Sequence, residues 1–135
     1  MNESLTPFTI NRKKYRSVVD YITQNIFSEE DTLLEVVRKL PTPRDTFDFV
    51  RQAWVRPHIR KDWEDSKLSV MRRAVLAKFN QDPELKRLLK STKDYWLIEH
   101  TTNDTTWADG GDCGSGESGS NLLGKILMSV REELA

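Results

Sequence analysis

Glycine is the residue that this chain lacks most conspicuously, since none occurs before Gly110. All six glycines fall between Gly110 and Gly124. Glycine adopts backbone conformations, and permits close approaches, that other residues resist. We therefore expect unusual backbone geometry to be concentrated in one loop, which includes Gly110 and Gly111 and leads into the last helix.

Metal-ligating and disulfide-forming residues are also scarce. The chain has one cysteine, Cys113, and two histidines, His58 and His100. One cysteine excludes an internal disulfide, and so few soft ligands argue against a structural zinc site. We expect neither a metal nor another cofactor. The cysteine count fits a reducing compartment, the N-terminus lacks a signal-peptide pattern, and no apolar run has membrane-spanning length. The predicted location is the cytoplasm, without membrane association.

An excess of charge of either sign is likewise missing. The 21 basic and 21 acidic residues give a formal net charge of zero, although 31% of residues are charged. No global field therefore draws the protein toward nucleic acid or a membrane surface. A chain of 135 residues has the size of one domain that can bury a core of its own. We predict a single domain over residues 1–135.

Apolar periodicity and capping residues predict mostly helices. Ser17 is the expected cap of the first helix, Ser28 of a second that ends at Pro41 and Pro43, and Thr42 with Pro43 opens a third that Pro57 closes. Further helices are expected over residues 61–79, from Asp82-Pro83 onward, and after Asn121, with Ser118, Ser120 or Asn121 as the last cap.

Two short stretches have the composition of strands, Phe8 to Tyr15 and Tyr95 to His100. The predicted architecture is thus a helix-dominated α+β domain with a few short strands that flank a pocket.

Several residues in this framework are candidates for ligand binding. Asp104 and Trp107 place a carboxylate near an indole, which suits a ribose and a flat base, although an Asx-turn beside a packed tryptophan explains the same spacing. Trp63 is a stacking candidate or a core residue.

Two anion sites are also conceivable from the sequence. The glycine-rich loop before the last helix can cradle a phosphate or be a plain connector that carries repelling acids. A basic cluster, Arg56, His58, Arg60 and Lys61, can hold a phosphate or form a solvated surface.

The order of four sequence blocks makes the chain resemble a known family. KDWEDSKLSVM, KFNQDPELKRLL, LIEHTTNDTTWADGG and NLLGKILMSVREEL follow one another over about residues 60–134. This series is similar to that of the NADAR family, also called YbiA-like. The N-terminal segment INRKKYRSVVDYITQNIF resembles the family's opening strand and helix, so the resemblance extends over nearly the whole chain.

The resemblance implies hydrolysis of an N-glycosidic bond in a ribosyl compound. Family members cleave a ribosylamino-pyrimidine phosphate of riboflavin synthesis or remove ADP-ribose from guanine in nucleic acid. The implied partners are a small ribosyl-phosphate or ADP-ribose ligand and ADP-ribosylated nucleic acid. The motif match carries the family's site to a set of positions here, with Asp104 and Asp20 as catalytic candidates and the following as substrate-binding candidates: Trp63, Trp107, Glu99, Gly110, Gly111, Asn121 and Gly124.

The chain departs from the family pattern in its N-terminal half. Val19, Asp20 and Tyr21 stand where the family usually has Glu-His-Tyr, so the usual acid is displaced by one residue, about 100 degrees around a helix. Ile26 replaces a lysine, and Gln52 and Ala53 replace a Gly-Arg pair. Two hypotheses follow: an N-glycoside hydrolase that relies on Asp104 and another acid such as Asp20, or a relative that binds ADP-ribose or a related nucleotide without turnover.

Overall fold

The computed structural model describes residues 6–97 and 121–135. Their elements are two strands, six α-helices and one 3₁₀ helix, and the bounds are as follows: β1 Phe8–Ile10, β2 Lys13–Tyr15, α1 Val18–Asn25, α2 Leu33–Arg38, α3 Pro43–Val50, the 3₁₀ helix Ala53–His58, α4 Trp63–Gln81, α5 Pro83–Ser91 and α6 Leu122–Leu134.

The N-terminal segment is a hairpin, so the prediction of one strand from Phe8 to Tyr15 was wrong. Strands β1 and β2 pair antiparallel, with Phe8 opposite Tyr15 and Ile10 opposite Lys13. The turn residues Asn11 and Arg12 have φ of 52° and 67°. Positive φ at both central positions is the geometry of a tight type I′ hairpin turn. The sequence did not reveal it because Arg12 stands where such turns favour glycine.

Helix α1 carries the hairpin on an aromatic cluster. Its predicted cap is confirmed, since the Ser17 hydroxyl accepts a hydrogen bond from the Asp20 amide at 3.2 Å. The Tyr21 ring meets Tyr15 edge-on at 4.9 Å between centroids and lies 6.2 Å from Phe8. Such pairs contribute about 0.5–1.5 kcal/mol each beyond burial. The contact between Tyr15 and Tyr21 holds β2 near the start of α1. Helix α1 also packs against α2 and α3.

Local capping chemistry decides where the next helices begin. The prediction for α3 is confirmed, because Thr42 caps it with Pro43 in the first turn. The predicted start at Ser28 was wrong: α2 begins at Leu33, whose amide donates to the Asp31 carboxylate at 2.9 Å. The predicted extension of α3 to Pro57 was also wrong, since Pro57 lies inside the separate 3₁₀ helix.

Helix α4 matches its predicted span to within two residues at each end. Its buried face includes Val70, Met71 and Ala74. The Lys78 side chain is also buried. Burial lowers the pKa of the Lys78 ammonium, and nearby Asp82 opposes that shift in part.

The last helices pair with each other. Helix α5 has the predicted cap, Asp82, which accepts the amides of Glu84 and Leu85, and α5 packs against α6. Helix α6 buries Leu123, Ile126 and Val130. The expected strand from Tyr95 to His100 is not formed over Tyr95–Leu97, and its remaining part lies outside the described residues.

The α+β class, helix-dominated with short strands, is confirmed. The chain divides into two compact units, the first reaching Ala77 and the second beginning at Lys78. The hairpin and α1 to α3 belong to the first unit, whereas α5 and α6 belong to the second. The single domain over residues 1–135 stays a prediction.

Candidate functional site

The first unit contains a cleft at the junction of the hairpin with α1. Its volume is about 540 Å³, and it is lined by Lys13, Lys14, Tyr15, Arg16, Asp20, Gln24 and Arg38. Strand β2 supplies the lysines, α1 supplies Asp20 and Gln24, and Arg38 comes from the last turn of α2. Four cationic side chains against one carboxylate give the cleft a positive potential.

A buried network holds one of these cations in place. The Asp20 side chain is 4% exposed and accepts hydrogen bonds from the Nε and Nη2 groups of Arg16 and from the Thr46 hydroxyl at 3.1 Å. Arg16 Nη1 donates to the carbonyl of Pro41. A guanidinium bound through three of its nitrogens keeps one orientation. Arg16 is therefore a fixed charge, and 39% of its side chain remains exposed.

The other cations are less constrained. Arg38 donates to Glu35 on the helix surface at 2.7 Å. Lys13 and Lys14 are exposed and form no ion pair with another residue in the ranges 6–97 and 121–135. Burial, and secondarily the neighbouring Tyr21, raise the pKa of the Tyr15 phenol, which Arg38 partly opposes. Tyr15 is thus a neutral hydrogen-bonding group between cations.

The geometry of α1 bears on the catalytic candidate Asp20. Both carboxylate oxygens already accept hydrogen bonds, so a role for Asp20 in proton transfer stays a prediction while its contacts make it a positioning residue for Arg16. Val19, where the motif resemblance implies an acid, is buried with 4% exposure. No ionisable group therefore occupies position 19 itself.

Two members of the basic cluster of Arg56, His58, Arg60 and Lys61 contact local acids. Arg60 forms a two-pronged ion pair with Asp62 at 2.6 and 2.7 Å, and its amide donates to the Ile26 carbonyl at 2.8 Å. This pair lowers the pKa of the Asp62 carboxyl to about 2. His58 lies 3.1 Å from Asp31. The contacts favour the structural reading of this cluster over an anion site.

In the second unit, Asn121 and Gly124 fix the start of α6 against Leu97. Asn121 is buried with φ of 49°. The prediction that its side chain caps the helix was wrong, because the side-chain Nδ2 group donates to the Leu97 carbonyl at 2.9 Å. A Cβ on Gly124 would lie 2.2 Å from the same oxygen. Gly124 therefore permits a close backbone approach, and both residues connect the chain on either side of residues 98–120.

The remaining candidates are placed less completely. Trp63 is the first residue of α4 and is half-buried. Glu99, Asp104, Trp107, Gly110 and Gly111 lie outside the described residues. Their roles stay predictions.

Sequence reasoning missed the cleft, although its signal was present. The run RKKYR directly before the Ser17 cap contains three of the basic side chains that line it. The argument from net charge concealed this local excess. Arg38 was not recognisable at all, because only the packing of α2 on α1 brings it to the cleft.

Residues 6–97 and 121–135 offer neither a metal cluster nor a membrane-spanning helix. No cluster of three acidic, histidine or cysteine side chains that could hold a metal occurs there. None of the helices in those ranges is both long and apolar enough to cross a membrane.

Comparison with known proteins assigns the chain to a family. The profile of the NADAR domain matches residues 1–135. The chain belongs to the NADAR domain family. It is 37% identical over 134 residues to the N-glycosidase YbiA of Escherichia coli, covering 99% of this chain and 79% of that protein. It is 48% identical over 75 residues to a riboflavin biosynthesis protein of Vibrio vulnificus, covering 56% of this chain and 19% of that protein.

A solved structure extends the likeness to three dimensions. The NMR structure of the E. coli protein YbiA matches with a TM-score of 0.85 and 35% identity, over 98% of this chain and 75% of that chain. This NADAR member therefore shares the YbiA fold, and the predicted resemblance is confirmed.

Proposed function

We propose that this NADAR protein is an N-glycosidase that hydrolyses a ribosyl-phosphate compound. The observation that carries the proposal is the similarity to an N-glycosidase along the whole chain, 37% identity over 134 residues, together with the shared fold. In the proposed reaction, the bond between the ribose anomeric carbon and the base nitrogen breaks. Water supplies the hydroxyl to carbon and a proton to the departing nitrogen.

We assign the central role to Asp104. Its carboxylate stabilises the positive charge that develops on the ribose as the bond breaks. Trp107 and Trp63 pack on base and sugar, and Glu99, Gly110 and Gly111 complete the binding surface. The contact of Asn121 and Gly124 with Leu97 supports this assignment, because it holds the chain on both sides of the sequence that contains Asp104.

The preferred substrate is a ribosylamino-pyrimidine phosphate, since one relative is named a riboflavin biosynthesis protein. ADP-ribosylated guanine, free or in nucleic acid, is the second substrate. The cytoplasm is the proposed location, on the argument from the single cysteine.

One observation favours a second function, binding of ADP-ribose or a related nucleotide without turnover. Position 19 carries buried valine, and Asp20 is bonded to Arg16 and Thr46. A chain without a proton donor in α1 retains a pocket but loses the step that protonates the leaving base.

The test compares the wild type with Asp104→Asn on both substrates, measured as release of free base. Asparagine keeps the shape and removes the charge, so the hydrolase proposal expects turnover to fall by about a hundredfold or more while binding persists. Asp65→Asn, on the exposed surface of α4, is the matched control and should be fully active. A wild type that binds ADP-ribose yet releases no base would establish the binding function instead.

A further inference from the structure

The cleft beside the hairpin has the features of a site for a small anion. Its volume of about 540 Å³ exceeds the space that one ordered water molecule requires. Cationic side chains reach it from strand β2, from Arg16 just before α1, and from α2. The Arg16 guanidinium donates to the Asp20 carboxylate and to the Pro41 carbonyl, so its orientation is preset. Preorganised charge costs little conformational entropy when an anion binds.

Lys13 and Lys14 provide the free charge. They make no ion pair with another described residue, and both side chains are exposed at the cleft. A bound anion that contacts both ammonium groups would offset the repulsion between them. Within the residues described, nothing neutralises this pair, in contrast to Arg60, which is bound by Asp62.

The number of cations indicates the charge of the ligand. Two positive charges, those of Lys13 and Lys14, remain after Asp20 offsets Arg16 and Glu35 offsets Arg38. Tyr15 and Gln24 add hydrogen-bonding groups. A terminal phosphate monoester carries about −1.5 to −2 at neutral pH and offers three oxygens, whereas a backbone diester carries one charge. A track for nucleic acid requires a longer basic stripe, and the chain's net charge is zero.

We infer that the cleft formed by Lys13, Lys14, Arg16 and Arg38 binds the terminal phosphate monoester of a small molecule. This site is built in the first unit and is independent of the catalytic role proposed for Asp104. Arg16 and Arg38 orient the phosphate, and the two lysines supply its remaining counter-charge.

Calorimetric titration of the wild type with ribose 5-phosphate, ribose and inorganic phosphate tests this site without any turnover. We expect ribose 5-phosphate and inorganic phosphate to bind, ribose not to bind, and affinity to fall with added salt. The double variant Lys13→Gln/Lys14→Gln should bind ribose 5-phosphate about tenfold more weakly, as expected for lost charge-assisted hydrogen bonds.

The matched control is Lys90→Gln/Lys93→Gln, which removes two exposed lysines outside the cleft and should bind like the wild type. Equal weakening in both double variants, or none in the first, would overturn the inference. An oligonucleotide without terminal phosphates that binds as tightly as ribose 5-phosphate would overturn the monoester assignment. Because ribose 5-phosphate has no base to release, failure of the N-glycosidase proposal would leave this result unaffected.

Discussion

Replacement of Gly124 by alanine tests the contact between α6 and Leu97. Alanine normally stabilises a helix interior by about 1 kcal/mol relative to glycine. Here the new Cβ would lie 2.2 Å from the Leu97 carbonyl oxygen and 2.5 Å from the Asn121 amide nitrogen, far inside the ordinary contact distance of 3.4 Å. The opposing atom is backbone, so the helix must move.

The net change in stability follows from two destabilising contributions and one stabilising contribution. Overpacking of this kind costs about 1–3 kcal/mol, and displacement of the hydrogen bond between Asn121 and Leu97 costs about 1 kcal/mol more. After the gain in helix propensity, we expect Gly124→Ala to lower the free energy of unfolding by about 1–3 kcal/mol. For a chain of this size, Tm falls by about 4–10 °C.

Urea unfolding followed by tryptophan fluorescence measures this difference. Lys125→Ala, at the next and exposed position of α6, is the matched control and should change stability by less than about 0.5 kcal/mol. Because Asn121 contributes two of the clashing atoms, Gly124→Ala combined with Asn121→Gly should cost less than the sum of the single changes. A stabilised Gly124→Ala protein would refute the close approach.

Three further substitutions test other parts of the account. Arg12→Gly should stabilise the protein by about 0.5–1 kcal/mol in thermal unfolding, because glycine adopts the positive φ of this turn without strain; destabilisation would argue against the hairpin turn. Val19→Glu introduces, at a buried position, the acid that the motif resemblance implies there. It should destabilise the protein by about 3 kcal/mol or more, with a larger loss at pH 8 than at pH 5; gained activity without lost stability would contradict the buried placement. Because the pKa of Asp62 is lowered to about 2 in the folded state, its contribution to stability is complete above about pH 4 and disappears as pH falls toward 2. Asp62→Asn should flatten that part of the pH profile, and an unchanged profile would show that the pair with Arg60 contributes nothing.

The sequence predicted those helix ends that depend on neighbouring residues. Thr42 with Pro43, and Asp82 with Pro83, start α3 and α5 as expected, because the cap and the proline act within one turn. Ser28 failed as a cap because Asp31 competes for the same role closer to the apolar face of α2. Such a choice depends on which start buries Leu34 and Val37, which the local pattern does not specify.

The candidate sites also differ in whether they depend on a local sequence motif or on packing between elements. The NADAR motif blocks predicted the family, which is confirmed, whereas the roles of Asp104 and its neighbours stay predictions. The cleft was not predicted, because it depends on the packing of α2 against α1, which brings Arg38 near Arg16. The close approach of the Leu97 carbonyl that requires glycine at position 124 also appeared only in the structure, because Leu97 lies far from Gly124 in sequence.

The central claim is that the chain cleaves an N-glycosidic bond of a ribosyl phosphate. The most direct measurement incubates the wild type and Asp104→Asn with a ribosylamino-pyrimidine phosphate and quantifies free base and ribose 5-phosphate chromatographically. The account predicts equimolar release of both products by the wild type, at a rate about a hundredfold or more above that of Asp104→Asn. Equal rates in the two proteins would contradict the role of Asp104, and no product from this substrate or from ADP-ribosylated guanine would contradict the N-glycosidase itself.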